Sequence, residues 1–351
     1  MNILAVGINH KTSAIGIREK FFLQPTEREL LLSELKNDPR VMEVFVVSTC
    51  NRTEIYANLI GPTPQVLIEA IFKVKDIIPS QDLQEHFYTF SGQEAIRHLL
   101  HVTTGLDSLI IGEKQILGQV REALEFSSGR GMMSRTFNIL ANLVLQTGKK
   151  VRRETQIDFG GSSISWASVM MAQKIFGSLQ DKTVLILGSG KMGRLAVQQL
   201  ENKGVKKIYI MNRTTEKAEE LAKASGGEAV SFWDMKEILP KVDVCICSAG
   251  CIHYLIDKDS VAKVMDIRRG KKLVCIDISV PRNIDPQVAK VPNVLLVTVD
   301  DLDKVVQNNI QKRSGCVQAV EKIIIDKVKE FYAAIAKTRF IEKKNTQKVS
   351  F

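Results

Sequence analysis

The chain has 351 residues, of which 44% are hydrophobic and 25% are charged, a composition typical of globular proteins with buried cores. It has no run of about 18 apolar residues that could form a membrane span, and its first residues lack the pattern of a secretory signal. Six cysteines, mostly in apolar runs, predict free thiols in the reducing cytoplasm and exclude a disulfide framework. The net charge of +10 favours encounter with polyanions such as nucleic acid, although an ordinary basic surface explains it equally well.

The first part of the chain alternates short strand and helix patterns, which predicts an α/β domain over residues 1–155. Apolar runs or stripes with these periods occur at residues 3–8, 26–35, 44–47 and 54–59. A polar turn at residues 48–52 joins the last two of these runs. Short loops on a rigid scaffold are where functional side chains concentrate, so this turn is a candidate site.

Residues 156–300 form a second domain in which strand-like and helical patterns alternate. Its apolar strand-like runs lie at residues 183–187, 207–211, 242–247 and 273–278. This alternation predicts a parallel sheet that helices cover on both faces. In the third part, residues 301–351, apolar side chains recur every seven positions, at Ile310, Val317, Ile324 and Phe331. That narrow seam predicts a long helix over 301–340 that packs along another helix or domain.

A glycine-rich turn directly follows the first predicted strand of the second domain. The turn consists of Gly188, Ser189, Gly190, Lys191, Met192 and Gly193, and a helical pattern follows it. A strand, a G-x-G-x-x-G turn and a helix in this order are typical of dinucleotide-binding domains. The first glycine permits the tight turn, the second lets the backbone approach a pyrophosphate, and the third lets helix and strand pack closely.

The end of the next strand, at Asn212, Arg213 and Thr214, predicts which dinucleotide binds. NAD-binding domains usually place an acidic residue there, which accepts hydrogen bonds from the ribose hydroxyls. Asn212 removes that negative charge, and Arg213 offers a bidentate cation to a 2′-phosphate. The sequence therefore favours NADPH over NADH, and the alternative is an ordinary surface arginine.

Cys50 differs from the other five cysteines because it lies in the polar turn, beside Asn51 and Arg52. A nearby guanidinium favours the thiolate, which is the reactive form of a thiol. A thiolate attacks esters and holds the acyl group as a thioester, which accepts hydride more readily than a carboxylate does. Together with a nicotinamide domain, this cysteine indicates reduction of an acyl group to an aldehyde. The alternative is a buried structural cysteine, which is common for this residue type.

A series of short motifs runs in order along most of residues 3–315. It comprises His10 to Ser13, Ser48 to Glu54, Gly105 to Ser108, Gly112 to Val120, Val151 to Thr155, the glycine turn, Asn212 to Thr214 and Asp277 to Arg282. Together these motifs resemble the glutamyl-tRNA reductase family. The turn around Cys50 and the segment from Gly105 to Gln119 are specific to that family, whereas the glycine turn is shared with many others.

The resemblance implies an N-terminal α/β catalytic domain, a Rossmann-type NADPH domain with a parallel sheet, similar to that of shikimate dehydrogenase, and a long C-terminal spinal helix with a shortened dimerisation region. It implies that Cys50 attacks the ester between glutamate and tRNA(Glu), and that NADPH reduces the resulting thioester. The product would be glutamate-1-semialdehyde, in the first step of tetrapyrrole (porphyrin) biosynthesis from glutamate. The implied partners are the charged tRNA, a second copy in a homodimer, and glutamate-1-semialdehyde aminomutase, with no membrane involved.

The resemblance also implies residue roles. Cys50 is the nucleophile, and His98 matches a histidine important for activity, whose role is either acid–base or positioning. Substrate-binding roles fall on Thr49, Asn51, Arg52, Ser108, Glu113, Lys114, Gln115 and Gln119, with Lys114 standing where the family usually has proline. No metal is expected, because no ligand set with metal spacing accompanies the pair of His98 and His101.

Two alternatives stay open. One is a different NADPH oxidoreductase, closer to a shikimate dehydrogenase, in which Cys50 is passive and the substrate is a free small molecule. The other is a tRNA- or partner-binding protein without activity, and the intact Cys50 turn and glycine turn argue against it. The basic residues Lys149, Lys150, Arg152 and Arg153 either contact a tRNA backbone or lie on a solvated helix face.

Overall fold

The computed structural model describes residues 2–61, 63–155, 157, 163–302 and 314–349. By its internal contacts the chain forms two compact units. The first unit combines residues 1–160 with residues 310–351, and the second consists of residues 161–309.

The first unit is built on a four-stranded antiparallel sheet in the order β2-β3-β1-β4. The strands are β1 (Asn2–Asn9), β2 (Val41–Thr49), β3 (Arg52–Leu59) and β4 (Tyr88–Ser91). The strands predicted at 3–8, 44–47 and 54–59 are confirmed, whereas β4 was not predicted.

Helices cover both faces of this sheet. They are α1 (Ile15–Phe21), α2 (Pro25–Lys36), α3 (Gln65–Val74), α4 (Gln81–Gln84), α5 (Gln93–Thr104), α6 (Gln115–Ser128) and α7 (Arg135–Thr155). Successive side chains of a strand point to opposite faces, so Leu4 and Val6 enter one core while Ile3 and Ala5 enter the other. The strands are therefore apolar on both sides.

The second unit is a six-stranded parallel sheet in the order β10-β9-β8-β5-β6-β7. Its strands are β5 (Thr183–Leu187), β6 (Lys207–Met211), β7 (Glu228–Val230), β8 (Val244–Cys247), β9 (Leu273–Asp277) and β10 (Val294–Thr298). Its helices are α8 (Ile164–Phe176), α9 (Lys191–Glu201), α10 (Thr215–Ser225), α11 (Met235–Ile238) and α12 (Lys258–Arg268). This strand order is that of a doubly wound fold, whose ligand site lies at the switch point between β5 and β8. The predicted parallel sheet is confirmed.

The long C-terminal helix, α13 (Ser314–Val349), belongs to the first unit. Its apolar seam is buried in the core that α5 and α7 also line, through Val320, Ile324, Val328, Phe331 and Ile335. Glu321 of this helix pairs with His101 at 3.0 Å and with Arg97 at 3.1 Å, both on α5. The seam is confirmed from Val320 onward, whereas Val317 is only half-buried. Residues 303–313, with Ile310, lie outside the described part of the chain. Within the described ranges, no helix is long and apolar enough to cross a membrane.

Candidate active site

The polar turn around Cys50 is the loop of a tight β-hairpin. Thr49 at the end of β2 pairs with Arg52 at the start of β3, which leaves Cys50 and Asn51 as a two-residue loop. The backbone N–H of Asn51 donates to Thr49 Oγ1 at 3.2 Å. The backbone N–H of His10 donates to the Asn51 carbonyl at 3.0 Å. The segment after β1 therefore braces the loop from one side.

Cys50 is half-buried at the tip of this hairpin. Burial, reinforced by the Glu113 carboxylate, raises the pKa of the Cys50 thiol to about 12. Arg18 and, less strongly, Arg52 act in the opposite direction. Arg52 thus favours the thiolate in the expected direction, but burial outweighs it and favours the protonated thiol.

Arg52 and Glu54 lie two positions apart on β3, and alternate residues of a strand share one face of the sheet. Its side chain is 2% exposed, and its Nη1 lies 2.7 Å from Glu54 Oε1 and 3.0 Å from Asp107 Oδ2. Its Nη2 donates to the backbone carbonyl of Asp107. Two carboxylates thus offset the charge of this guanidinium, and burial keeps all three groups away from water.

Glu54 is the centre of a buried polar network that the sequence did not reveal. It is fully buried and accepts hydrogen bonds from Tyr56 Oη at 2.5 Å, from Tyr88 Oη, and from Arg52. His98 Nε2 lies 3.0 Å from its Oε1. Burial alone would raise the pKa of Glu54, but Arg52 and His98 outweigh it and hold that pKa well below its usual range. Glu54 is therefore an ionised carboxylate at the base of the hairpin.

His98 lies on α5 with its ring among the aromatic side chains of Tyr56, Tyr88 and Phe90. It is only 8% exposed, and its Nε2 faces the Glu54 carboxylate. Ligand atoms of Glu54, His98 and Asp107 lie within 4.8 Å of one another, close enough for a metal ion. The Arg52 guanidinium, however, already bonds both carboxylates. The guanidinium of Arg52 is therefore the cation that pairs with these two carboxylates.

The segment from Gly105 to Gln115 places several of the expected substrate residues beside the hairpin. Gly105 ends α5 in a left-handed conformation, with φ of 81°, and its carbonyl accepts from the Gly112 N–H at 3.0 Å. Asp107 then reaches the network described above, with Lys11 as a further ion-pair partner. Ser108, Glu113 and Gln115 are buried, Gln119 is half-buried and Lys114 is exposed.

Two of these residues carry buried polar atoms without a hydrogen-bond partner among the described residues. They are the amide oxygen Oδ1 of Asn51 and the hydroxyl Oγ of Ser108. Buried polar atoms are almost always satisfied in folded proteins. Orphaned atoms on the loop and on the segment beside it therefore suit a polar ligand.

Arg152 on α7 lies inward, contrary to both expectations for the basic cluster. Its Nη1 donates to the Gly148 carbonyl at 2.8 Å, and its Nη2 donates to the Glu113 carbonyl at 3.2 Å. It therefore holds the segment before α6 in place. Lys149 and Arg153, by contrast, are exposed.

The glycine turn of the second unit has the geometry that the three glycines predict. Gly188 has φ of 105°, a conformation that other residues rarely adopt. A Cβ on Gly193 would lie 1.9 Å from the Gly188 carbonyl oxygen, whereas a Cβ on Gly190 would meet no described atom within 4 Å. Only a glycine fits at 193, and the open space at 190 is where a pyrophosphate can approach.

A cavity of about 570 Å³ opens beside this turn. Of the expected cofactor residues, it is lined by Gly188, Ser189, Gly190, Asn212, Arg213 and Thr214. Lys191, Met192 and Gly193 are not among its described lining. The Met192 carbonyl accepts a hydrogen bond from Ser165 Oγ of α8 at 2.8 Å. Sequence reasoning missed two further cations in the lining, Arg194 and Lys217, because neither lies in the motif at the strand end.

Asn283 supports the part of the cavity lining that contains Cys251 and His253. It is fully buried, and its Nδ2 donates to the carbonyls of Cys251 and His253, at 2.8 and 3.1 Å, in the lining. Its own backbone N–H donates to Asp277 Oδ2 at 2.8 Å. No local pattern in the sequence marks Asn283, since its partners lie about thirty residues away.

The doubly wound sheet, the glycine turn and the cation-lined cavity define a dehydrogenase-type domain for a nicotinamide cofactor. Two family models match the chain. One is the N-terminal domain of glutamyl-tRNA(Glu) reductase, over residues 6–155, and the other is shikimate/quinate 5-dehydrogenase, over residues 170–305.

Whole-chain relatives place both parts in one family. Glutamyl-tRNA reductase of Citrifermentans bemidjiense is 37% identical over 338 residues, which cover 95% of this chain and 77% of the relative. The glutamyl-tRNA reductase of Heliobacterium mobile is 39% identical over 332 residues, which cover 94% of this chain and 75% of the relative. The solved structure of glutamyl-tRNA reductase from Methanopyrus kandleri covers 96% of this chain and 81% of its own, with a TM-score of 0.53 and 30% identity. The chain belongs to the glutamyl-tRNA reductase family.

Proposed function

We propose that this chain reduces the glutamyl group of glutamyl-tRNA(Glu) to glutamate-1-semialdehyde with NADPH, the step that opens tetrapyrrole synthesis. The observation that carries the proposal is the Cys50 hairpin tip with two orphaned polar atoms around it, in a chain that also holds a dinucleotide turn. The catalytic role falls to residues 1–155 and the cofactor role to residues 156–300, while residues 301–351 supply the spinal helix.

In the first step the Cys50 sulfur attacks the carbonyl carbon of the ester between glutamate and the terminal ribose. The sulfur–carbon bond forms, the carbon–oxygen bond to the ribose breaks, and the thiol proton passes to the leaving ribose hydroxyl. The products are free tRNA and a glutamyl thioester on Cys50. NADPH, when bound, supplies the hydride that converts this thioester to the aldehyde, and the released Cys50 thiolate takes up a proton from water.

The remaining residues bind and orient the glutamyl group. We assign the orphaned Oδ1 of Asn51 to the substrate ammonium, since an amide oxygen accepts hydrogen bonds, and the Ser108 hydroxyl to a neighbouring polar atom. Thr49, Arg52, Glu113, Lys114, Gln115 and Gln119 complete the assigned pocket. His98 takes a positioning role, because its Nε2 is occupied by Glu54 and its ring is nearly buried.

The cavity of the second unit suits NADPH. Gly188 and Gly193 make the tight turn, and the open space at Gly190 admits the phosphates. Arg213, with Arg194 and Lys217 in the same lining, offers positive charge to a 2′-phosphate. A homodimer and transfer of the aldehyde to an aminomutase also belong to this proposal and rest on the family alone.

The decisive experiment is a mass measurement on the full chain after addition of glutamyl-tRNA without NADPH. We expect a glutamyl adduct on the peptide that contains Cys50, and none in Cys50→Ser, which also forms no aldehyde but still binds NADPH. The matched control is Cys251→Ser, which removes another half-buried thiol and leaves the adduct on Cys50. Aldehyde formation by Cys50→Ser would eliminate the thioester route, and NADPH oxidation with a free small molecule instead of glutamyl-tRNA would favour the dehydrogenase alternative.

A further inference from the structure

A fully buried asparagine of the second unit ties one side of the cofactor cavity to the end of a strand. Asn283, which follows β9, is 0% exposed. Its side-chain Nδ2 donates to the carbonyls of Cys251 and His253, at 2.8 and 3.1 Å. Both residues line the cavity. They belong to the cavity loop, residues 248–255, which lies between β8 and α12.

The backbone of Asn283 is anchored independently of its side chain. Its N–H donates to Asp277 Oδ2 at 2.8 Å, and the same carboxylate oxygen accepts from the Ile284 N–H at 2.8 Å. The Asn283 carbonyl accepts from the N–H groups of Leu255 at 2.7 Å and Ile256 at 3.2 Å. Asp277 is the last residue of β9 and is 1% exposed. The backbone is therefore fixed to the sheet, and the side chain extends that anchoring to the middle of the cavity loop.

The chemistry of the side chain shows which of its atoms matter. Its Oδ1 is buried and has no hydrogen-bond partner within the described ranges. A buried polar atom without a partner costs free energy. Because only the amide nitrogen can donate to two carbonyl oxygens, the contribution of this side chain lies in its two hydrogen bonds to the cavity loop.

The cavity loop lies on the side of the cavity that the adenosine half of a dinucleotide leaves open. A dinucleotide spans the switch point of a doubly wound sheet, here between β5 and β8. The open space at Gly190 admits the phosphates, and Arg213, after β6, lies where the 2′-phosphate of the adenosine half is expected. The other half then extends toward the end of β8, where the cavity loop begins.

We propose that Asn283 is a positioning residue for the nicotinamide half of the cofactor. It holds the cavity loop in the shape that receives this half, and it has no part in binding the adenosine half. The inference rests on the proposed function in that the cavity is taken to bind NADPH.

The test compares two ligands on the full chain by isothermal titration calorimetry. One is NADPH, and the other is adenosine 2′,5′-bisphosphate, which retains the adenosine half with its 2′-phosphate and lacks the nicotinamide. Asn283→Ala removes both side-chain hydrogen bonds to the cavity loop and keeps the backbone N–H and carbonyl. We expect the affinity for NADPH to fall about tenfold, while the affinity for the bisphosphate stays at its wild-type value.

Ser168→Ala is the matched control. Ser168 of α8 is also 0% exposed, and its hydroxyl donates to the Ser165 carbonyl of the same helix at 2.7 Å. It is not among the described lining of the cavity. Loss of this buried hydrogen bond should lower the melting temperature and leave both affinities unchanged.

Thermal melting shows whether each variant retains a folded second unit. If Asn283→Ala does not fold, Asn283→Ser, which retains a hydroxyl donor, is titrated in its place. Equal losses of affinity for the two ligands would overturn the proposal, and so would the absence of any loss. Failure of both variants to fold would also overturn it, because Asn283 would then support the whole unit rather than the cavity loop.

The result is separable from the proposed function. Neither tRNA nor the Cys50 thiol takes part in the titrations, so the absence of a glutamyl adduct would leave this inference standing. A wild-type chain that binds no NADPH would overturn both. A wild-type chain that binds both ligands, with equal losses in Asn283→Ala, would overturn this inference alone.

Discussion

The Cys50 hairpin and the glycine turn are built in opposite ways. Around the hairpin, buried ionised side chains connect elements that lie between β1 and α6 in the sequence. Glu54, at the centre of this network, is fully buried and contacts Arg52 and His98. At the turn, six consecutive residues shape the backbone, and the charged side chains of the cavity, such as Arg213, are exposed. The first site depends on the whole unit for its chemistry, whereas the second depends on a local conformation.

The difference predicts how each site responds to substitution. A buried ion that loses its partner costs several kilocalories per mole, so changes in the hairpin network should reduce stability and activity together. An exposed cation contributes little to folding, so changes in the cavity should reduce cofactor binding alone.

Glu54→Gln should have the largest effect. It removes a carboxylate that pairs with buried Arg52 and His98, so we expect the free energy of unfolding to fall by about 3–5 kcal/mol, measured by urea denaturation. The matched control is Glu43→Gln, on the neighbouring strand. Glu43 is also buried, but its described partners are neutral N–H groups of Asn58, Ser134 and Phe137. We expect a loss of only about 1 kcal/mol there, and equal losses would contradict the role of ion pairing.

Alanine at Gly193 and at Gly190 should separate folding of the turn from binding. Gly193→Ala places Cβ against the Gly188 carbonyl, so both the thermal stability of the second unit and NADPH binding should be lost. Gly190→Ala meets no described atom within 4 Å, so the melting temperature should hold while NADPH affinity falls about tenfold. Fluorescence titration and thermal melting measure the two effects. NADPH binding of wild-type strength in Gly190→Ala would mean that the phosphates lie elsewhere.

Arg213→Ala should weaken NADPH and spare NADH. A charge-assisted hydrogen bond to a 2′-phosphate contributes about 1.5–3 kcal/mol, which corresponds to a loss of affinity of about tenfold or more, measured by titration with each cofactor. Lys223→Ala, an exposed lysine on α10, serves as the control and should change neither. Equal losses for NADPH and NADH in Arg213→Ala would remove the 2′-phosphate role.

A pH dependence of stability is expected at His10. Burial, and then the charge of Arg52, lower the pKa of His10 from 6.5 to about 4. The unfolded chain takes up a proton in this window and the folded chain does not, so stability is complete above pH 6.5 and falls as the pH drops toward 4. His10→Asn should flatten this part of the profile of unfolding free energy, while His253→Asn, at an exposed position, should not. A profile unchanged by His10→Asn would show that other groups cause the slope.

The same contrast decides what the sequence could predict. The doubly wound sheet, the glycine turn and the buried seam of α13 have periods or local motifs, so they were predictable. Strands β4, β7 and β10 were missed because they are short or lack clear alternation. The partners of Arg52 were missed because Asp107 lies 55 residues away, and only the folded chain brings it to the hairpin.

The effect of Arg52 on the thiol is weaker than expected for a physical reason. Its guanidinium is buried and paired with Glu54 and Asp107, so its charge acts only weakly on the neighbouring sulfur. The helix α1 brings Arg18 to the loop instead. A cation for a loop residue is better sought on the elements that pack against the loop.

The raised pKa of the Cys50 thiol has a consequence for its sensitivity to oxidation. Burial raises the pKa of this thiol to about 12, so the neutral form dominates at neutral pH. Peroxides attack thiolates far more readily than thiols. If Cys50 is the acyl acceptor as proposed, its sulfur should therefore resist peroxide while no substrate is bound.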